Sequence, residues 1–377
     1  MEAVGAASAT NEATAERACW IALSLVPGIG PVRFQRLLEV CGGAEAAWQA
    51  PDLQLAAAGL ERRSIAALQR LRQQTTPVAA LERLERLGMR PLTLLDEGYP
   101  LALREIADPP PVLFVRGALS AADEPAVALV GTRRATPYGR SVADRLARDL
   151  AMAGVSVVSG LARGIDTAAH TASVEAGGRT LAVLGNGLDQ VYPPQNTPLA
   201  RTIVSTGAGA LVSEFGPGVP PDAVNFPRRN RIIAALARVT VIVEAGERSG
   251  ATITADFALE QGREVMVVPG SIFSPMSHGC HALLKQGASP VTGAQDILEV
   301  LGIKEAAAGA GGGVARRLPV LGPVEQDVWD ALAYDPRHVD ELARAVGRPA
   351  GEVAASLVVL ELEGMARPVG PMVYTRA

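Results

Sequence analysis

The sequence predicts an α/β protein: a doubly wound, mostly parallel sheet, preceded by a helical segment and followed by a small domain of helices and a β-ribbon. Three observations carry that prediction. Between about Ala126 and Leu301, short β-branched runs alternate with helical windows. The runs are apolar throughout, as strands buried on both faces are. A Gly/Ala tract at 304–318, which has no means of burying itself, separates this region from three amphipathic windows and a ribbon. Strands joined by helices form parallel sheets with right-handed crossovers, and ligands of such sheets sit beyond the carboxyl ends of the strands.

From the start of the chain, residues 1–18 mix acids, Thr and Ala. They lack the basic start and apolar core of a signal peptide and are expected to be disordered. Residues 19–95 read as an all-α domain, with Trp20-Ile21-Ala22-Leu23 and the Val32 to Leu38 window at helical spacing. Between them lies Val26-Pro27-Gly28-Ile29-Gly30-Pro31. Such a hairpin resembles the helix-hairpin-helix element of DNA-binding proteins, whose N–H groups meet phosphate, and it also fits an ordinary helix–helix turn.

Residues 96–303 form the sheet domain. Its expected strands are Ala126 to Val130, Val155 to Val158, Leu181 to Leu184, Ala210 to Val212, Val239 to Val243 and Val265 to Val268. After the 304–318 linker, residues 319–377 carry helical windows at Glu325 to Ala333, His338 to Val346 and Ala350 to Gly364, then a ribbon from Ala366 to Tyr374. This pattern is that of a winged helix. Its third helix holds Glu352, Glu361 and Glu363 and no Lys or Arg. Insertion into a DNA major groove would meet repulsion, so a protein–protein or regulatory role is expected.

Composition narrows the function. A chain of 377 residues, 48% hydrophobic, has room for two or three domains with a large core. No run of about 18 apolar residues is present, so no membrane span is expected and the protein is read as cytoplasmic. Cys19, Cys41 and Cys280 are scattered and odd in number, which argues against a disulfide framework. The formal net charge of -4 excludes nucleic-acid binding by bulk charge, but residues 126–238 hold 12 Arg against 7 Asp plus Glu. The positive charge is central.

That charge lies in the loops after the strands. The first strand leads into Gly131-Thr132-Arg133-Arg134, with Thr136-Pro137 as a helix N-cap pair; exposed helix-start amides and two guanidiniums make an anion site. The second leads into Gly160-Leu161-Ala162-Arg163-Gly164, with Asp166 expected as the helix N-cap and His170 as a packed, satisfied residue. The third gives Gly185-Asn186-Gly187 and Tyr192, which either address a base or ribose or form the turn. The fourth leads to Asn225-Phe226-Pro227-Arg228-Arg229-Asn230-Arg231, and the fifth to Ser249-Gly250-Ala251-Thr252 at a helix start. Arginine matches phosphate oxygens with planar donor forks and stacks on bases. Five such loops on one sheet edge describe a surface for an unpaired nucleic-acid strand.

Other chemistry is disfavoured. There is no Gly-x-x-x-x-Gly-Lys-Ser/Thr loop, and Lys285 and Lys304 are the only lysines. The first turn lacks Gly-x-Gly-x-x-Gly, against a nicotinamide or flavin cofactor. His278-Gly279-Cys280-His281 matches no usual zinc spacing, so neither metal nor cofactor is expected. No catalytic constellation stands out.

Several of these segments together resemble the DprA/Smf family of DNA-processing proteins of bacterial natural transformation. They are Val130 to Gly139, Ser159 to Asp166 with Ala169-His170, Ala182 to Asp189 with Tyr192-Pro193, Phe226 to Ile233, Glu244-Ala245 with Ser249-Gly250, and Gly262 to Val265 with Val268 to Ser271. The resemblance runs from about Leu92 to Leu301, and the flanking segments fit the longer members. It implies an extended Rossmann-like domain between an N-terminal helix-hairpin-helix (SAM-like) domain and a C-terminal winged helix. It also implies single-stranded DNA binding, homodimers through the Rossmann-like domain, loading of the RecA recombinase, displacement of single-strand-binding protein and no catalytic turnover. By that resemblance Gly131, Thr132, Arg133 and the Arg228, Arg229, Asn230, Arg231 cluster contact phosphate; within the cluster, Arg231 at the start of an apolar helix is read as the structural one, and Arg228 and Arg229 as meeting the phosphates. Phe226 stacks on a base or buries its ring. His278 to His281 departs from the family, which has Gly-Thr/Ser-Asn there.

Two other readings stand beside this one. The sheet edge resembles that of nucleotide phosphoribohydrolases, but Ser249 to Ala255 lacks the Glu that such chemistry wants. A protein-interaction hub accounts for the C-terminal part only.

Overall fold

The computed structural model describes residues 14–303, 321–333 and 335–376. The linker expected at 304–318 and most of the expected disordered N-terminus lie outside these. Residues 14–18 open the first helix, α1 (residues 14–24). The chain divides into two compact units, a sheet unit that ends at Leu301 and leaves out Ala135–Val142, and a unit that groups Ala135–Val142 with the C-terminal residues from Gly302 on.

After α1 come α2 (Pro31–Cys41), α3 (Ala44–Gln49), α4 (Asp52–Ala57), α5 (Arg62–Gln74) and α6 (Pro77–Arg86). Pro31 starts α2 where no N–H is needed, and Gly42 stops it in the left-handed region (φ 86°). Ile21, Leu23, Phe34, Leu37, Leu55 and Leu68 form one core together with Val112, Phe114, Leu161 and Leu184 of the sheet region. Trp20 donates from Nε1 to the Pro111 carbonyl at 2.8 Å. The helical segment therefore packs as part of the sheet unit.

The sheet has nine strands: β1 (Arg90–Thr93), β2 (Val112–Gly117), β3 (Ala126–Val130), β4 (Ser156–Ser159), β5 (Thr180–Val183), β6 (Gly209–Ser213), β7 (Val239–Ile242), β8 (Glu264–Val267) and β9 (Ser289–Pro290). Their order is β1-β2-β6-β5-β4-β3-β7-β8-β9. From β6 to β9 all pairs are parallel, while β1 with β2 and β2 with β6 are antiparallel. The domain boundary expected at residue 95 thus falls beyond β1, a strand hydrogen-bonded into the sheet. All six strands expected from the apolar runs form, each within about two residues of its run.

The connecting helices are α7 (Leu101–Arg104), α8 (Pro137–Met152), α9 (Ile165–Glu175), α10 (Thr197–Ser205), α11 (Asn225–Ala235), α12 (Gly250–Glu260), α13 (His278–Lys285) and α14 (Ala294–Val300). Every residue of β3 and β6 is buried, which explains why these runs do not alternate. From β3 the chain winds outward through β4, β5 and β6, then returns to the other side of β3 as β7. Loops leaving neighbouring β3 and β7 diverge, and the crevice between them is the switch point at which such sheets bind ligands.

The C-terminal unit is a winged helix: α15 (Pro323–Ala331), β10 (Arg337–His338), α16 (Val339–Val346), α17 (Ala350–Leu362), β11 (Ala366–Gly370) and β12 (Val373–Arg376). Val328, Leu342, Val353, Leu357 and Leu360 fill its core. No helix among the described residues is long and apolar enough to cross a membrane.

Candidate nucleic-acid interface

The loops after β3, β4 and β7 lock together by backbone contact. Thr132 donates its N–H to the Glu244 carbonyl at 2.8 Å. At Gly131 a Cβ would stand 2.5 Å from Ile165 Cγ1, and at Gly164 (φ 81°) one would stand 2.3 Å from the Thr132 carbonyl oxygen. Only glycine permits that approach. Ser249 caps α12 by accepting the Ala251 N–H at 3.3 Å, and the Thr252 hydroxyl turns back to the Ser249 carbonyl at 2.7 Å.

Over this edge lies a groove of about 630 Å³. It is walled by Gly131 to Arg134, Tyr192, Phe226, Arg229, Asn230 and Arg248 to Ala251. A smaller recess of about 210 Å³ opens beside it, between Arg133, Arg134, Gly160, Arg163, Tyr192 and Phe226. Arg133, Arg134, Arg163 and Arg248 are exposed there. Tyr192 and Phe226 stack with ring centroids 5.6 Å apart and planes at 29°, and the Arg133 guanidinium lies 5.0 Å from the Phe226 centroid. A Cβ at Gly185 would reach within 2.8 Å of Phe226 Cδ1, so this glycine admits the ring. Phe226 is half-buried and lines both cavities, so it packs on Gly185 and also faces the groove.

The helical period splits the arginine cluster. Residues i, i+3, i+4 and i+7 share one helix face. Phe226, Arg229, Asn230 and Ile233 accordingly face the groove, whereas Asn225 and Arg228 line a different cavity beside the 26–31 hairpin. Arg231 is 5% exposed and bridges Asp108 (2.8 Å) and Glu214 (2.9 Å), a buried clamp beneath α11. The Asn230 amide donates to the Gly250 carbonyl at 3.1 Å and ties α11 to α12.

Arg229 does not present its guanidinium to solvent. It is buried at the groove floor and donates to the carbonyls of Gly160 (2.8 Å) and Val183, joining the ends of β4 and β5. Burial lowers its pKa to about 10, opposed by the nearby Asp166 carboxylate. Asp166 was expected to cap α9, yet it lies within the first turn, and its Oδ2 reaches back to the N–H groups of Gly160 (3.0 Å) and Ala162 (3.2 Å). Gly164 occupies the capping position because only a positive φ closes that turn. Burial raises the Asp166 pKa, while the Arg229 charge and the two N–H donors oppose the shift. Asn186 is likewise buried, its amide spent on the Gly187 and Gln190 carbonyls.

His170 is fully buried, as expected of a packed histidine. The Thr180 hydroxyl gives its proton to the Val157 carbonyl (2.8 Å), so His170 Nδ1–H is the donor in the 2.6 Å contact with Thr180 Oγ1. Burial, and then the Arg229 charge, lowers its pKa to about 3. An unfolded histidine takes up its proton near pH 6.5, so stability falls as pH drops from 6.5 toward 3. In urea titrations, His170→Asn, which keeps a donor toward Thr180, should lose about 2 kcal/mol less than wild type between pH 7 and pH 5. Equal losses in the two proteins would show that His170 does not titrate between the two states.

In the departing segment at α13, Cys280 is buried and its thiol is pushed up to about 11, chiefly by burial. His281 Nε2 donates to the Gly270 carbonyl at 3.0 Å. Both groups are engaged in packing. Tyr192, which the sequence offered as a base or ribose contact, lines the groove, and so does Arg248, a cation the sequence reading did not single out. Arg248 immediately precedes the Ser249-Gly250 helix start, and that adjacency was its signal.

A family model described as DNA recombination-mediator protein A matches residues 90–302, and one described as DprA winged helix domain matches residues 315–370. The chain belongs to the DNA recombination-mediator protein A family. The Smf protein of Synechocystis is 34% identical over 97% of this chain and all of its own length. The crystal structure of DNA processing protein A from Streptococcus pneumoniae superposes with a TM-score of 0.63 at 36% identity, covering 74% of this chain and 95% of that one. A structure describing the single-stranded DNA binding mode of the Helicobacter pylori protein superposes with a TM-score of 0.51 at 31% identity, covering 56% of this chain and 95% of that one. Within the family fold, the groove lies at the β3/β7 switch point and the winged helix follows the sheet unit.

Proposed function

We propose that this protein binds single-stranded DNA in the switch-point groove, shields it and passes it to the RecA recombinase, without catalytic turnover. The observation that carries the reading is the pairing of exposed Arg133, Arg134, Arg163 and Arg248 with the Tyr192–Phe226 stack across the groove and its adjoining recess. Cations for the backbone beside aromatic rings for bases are what an unpaired strand requires, because a duplex hides the faces of its bases. Gly131, Thr132, Gly160, Ser249 and Gly250 line the groove and its recess and supply backbone contacts, while Gly164 and Thr252 fix the loops behind them. Arg229 and Arg231 hold the floor rigid from below. Membership of the family supports RecA as the recipient, single-strand-binding protein as the competitor, a homodimer through the sheet unit and a cytoplasmic location.

A phosphoribohydrolase needs a free carboxylate over the bound nucleotide. Among the described residues that line the groove, the one carboxylate is Asp166, buried against Arg229. Titration of matched single- and double-stranded oligonucleotides at two salt concentrations tests the reading. Single strands are expected to bind at least tenfold more tightly, with affinity falling as salt rises. Equal binding of the two forms, or release of base from nucleoside monophosphates, would overturn it.

A further inference from the structure

The second face of α11 borders a separate cavity of about 590 Å³. Its wall is the hairpin between α1 and α2, together with Phe215, Glu214, Asp108 and Arg228. Four features make it more than a gap between elements. Arg228 is exposed and makes no ion pair among the described residues, and its guanidinium sits 5.9 Å from the Phe215 ring centroid. A Cβ at Gly30 would stand 3.5 Å from that guanidinium, so the charge lies against the hairpin. The N–H groups of Gly28 and Gly30 have no acceptor among the described residues, and Gly28 holds φ at 88°. Finally, Glu214 lines the cavity with its side chain 6% exposed: Oε2 takes Arg231, and Oε1 is buried without any donor.

These groups suit one nucleotide. Arg228 and the hairpin amides match a phosphate, Phe215 matches a base face, and the unpaired Glu214 oxygen matches an exocyclic amino group, as carboxylates do toward cytosine N4. A buried acceptor without a donor is costly, and a ligand amine would satisfy it once the Glu214 carboxylate turns toward the cavity. A volume of this size is ordinary for a small-ligand site. Phe226 in the groove and Arg228 in the cavity are two residues apart at the start of α11, so a strand crossing that helix end reaches both.

We propose that this hairpin cavity is a second seat for the same unpaired strand, taking one nucleotide with an amino-bearing base. The proposal rests on the strand-binding reading of the groove. It accounts for the hairpin glycines and for an arginine that the groove does not use.

Fluorescence anisotropy with labelled oligonucleotides of about 4 and about 12 nucleotides tests it on the full chain. Two variants are used. Arg228→Ala removes an exposed side chain, and Gly30→Asp places a carboxylate beside Arg228 at a backbone position (φ -88°) that any residue adopts and where Asp is a good helix cap. Both should weaken the longer oligonucleotide three- to tenfold and leave the shorter one, held in the groove, unchanged. Arg133→Ala should weaken both lengths. Wild type should prefer oligo-dC to oligo-dT at the longer length, and Gly30→Asp should erase that preference. Full affinity for the long strand in both hairpin variants, with Arg133→Ala still impaired, would refute the second seat and spare the groove. Equal weakening at both lengths would place Arg228 in the first site and likewise end the proposal, and absence of any dC preference would remove Glu214 from it. If Arg133→Ala also binds normally, the strand-binding reading itself fails.

Discussion

Arg133→Glu should bind single-stranded DNA between tenfold and a hundredfold more weakly than wild type. Arg133 lies at the mouth of the recess with its guanidinium against Phe226, where on the proposed reading a phosphate and the neighbouring base face both come within its reach. A hydrogen bond to a charged group contributes about 1.5–3 kcal/mol, and each 1.4 kcal/mol is a factor of ten in affinity. Reversal of the charge adds repulsion to the loss. The log–log salt slope should also flatten by about 0.7 for every phosphate contact removed, which separates a lost ion contact from a general weakening. Arg133 belongs to an exposed loop tip, and urea denaturation of the variant should match wild type within about 0.5 kcal/mol. Unchanged affinity in a folded Arg133→Glu protein would remove the groove from the function.

The largest effect on stability should come from Arg229→Met, at about 3–5 kcal/mol in urea denaturation. The guanidinium ties the Gly160 and Val183 carbonyls together, and its charge offsets the buried Asp166 carboxylate. Removing it leaves an unpaired carboxylate and two carbonyls without their donor, in a place water does not reach. The double variant Arg229→Met/Asp166→Asn should recover part of the loss, because no buried charge is then left uncompensated. Such a result separates Arg229, as the post beneath the groove, from Arg133, as its contact surface. A single variant as stable as wild type would mean that the charge is not the countercharge of Asp166.

Much of the fold was legible because it rests on patterns that do not need distant neighbours. Continuous apolar runs marked six strands, and the amphipathic windows after the linker marked a winged helix whose elements form at nearly the expected residues. What escaped in the large sheet was β1, β2 and the two-residue β9. Val112 to Val115 is also an apolar run, but its partner β6 is nearly a hundred residues away and antiparallel, and no local periodicity records such a pairing. The core that the N-terminal helices share with the sheet is likewise built from contacts distant in sequence, which no local pattern records.

At the interface, the residues alone placed glycines and arginines on one sheet edge, because a parallel sheet brings every βα loop to the same side. The same reading put Arg228 and Arg229 together on phosphate, whereas successive helical residues turn by about 100° and so face different directions. Which of the two meets solvent is a property of the packing. The carbonyls of Gly160 and Val183, from strands far away in the chain, draw Arg229 inward, Glu214 and Asp108 capture Arg231, and only Arg228 is left exposed, against the hairpin. Sequence spacing determined the angles between these side chains; the surroundings of α11, built from segments distant in sequence, decided what lies at the end of each one.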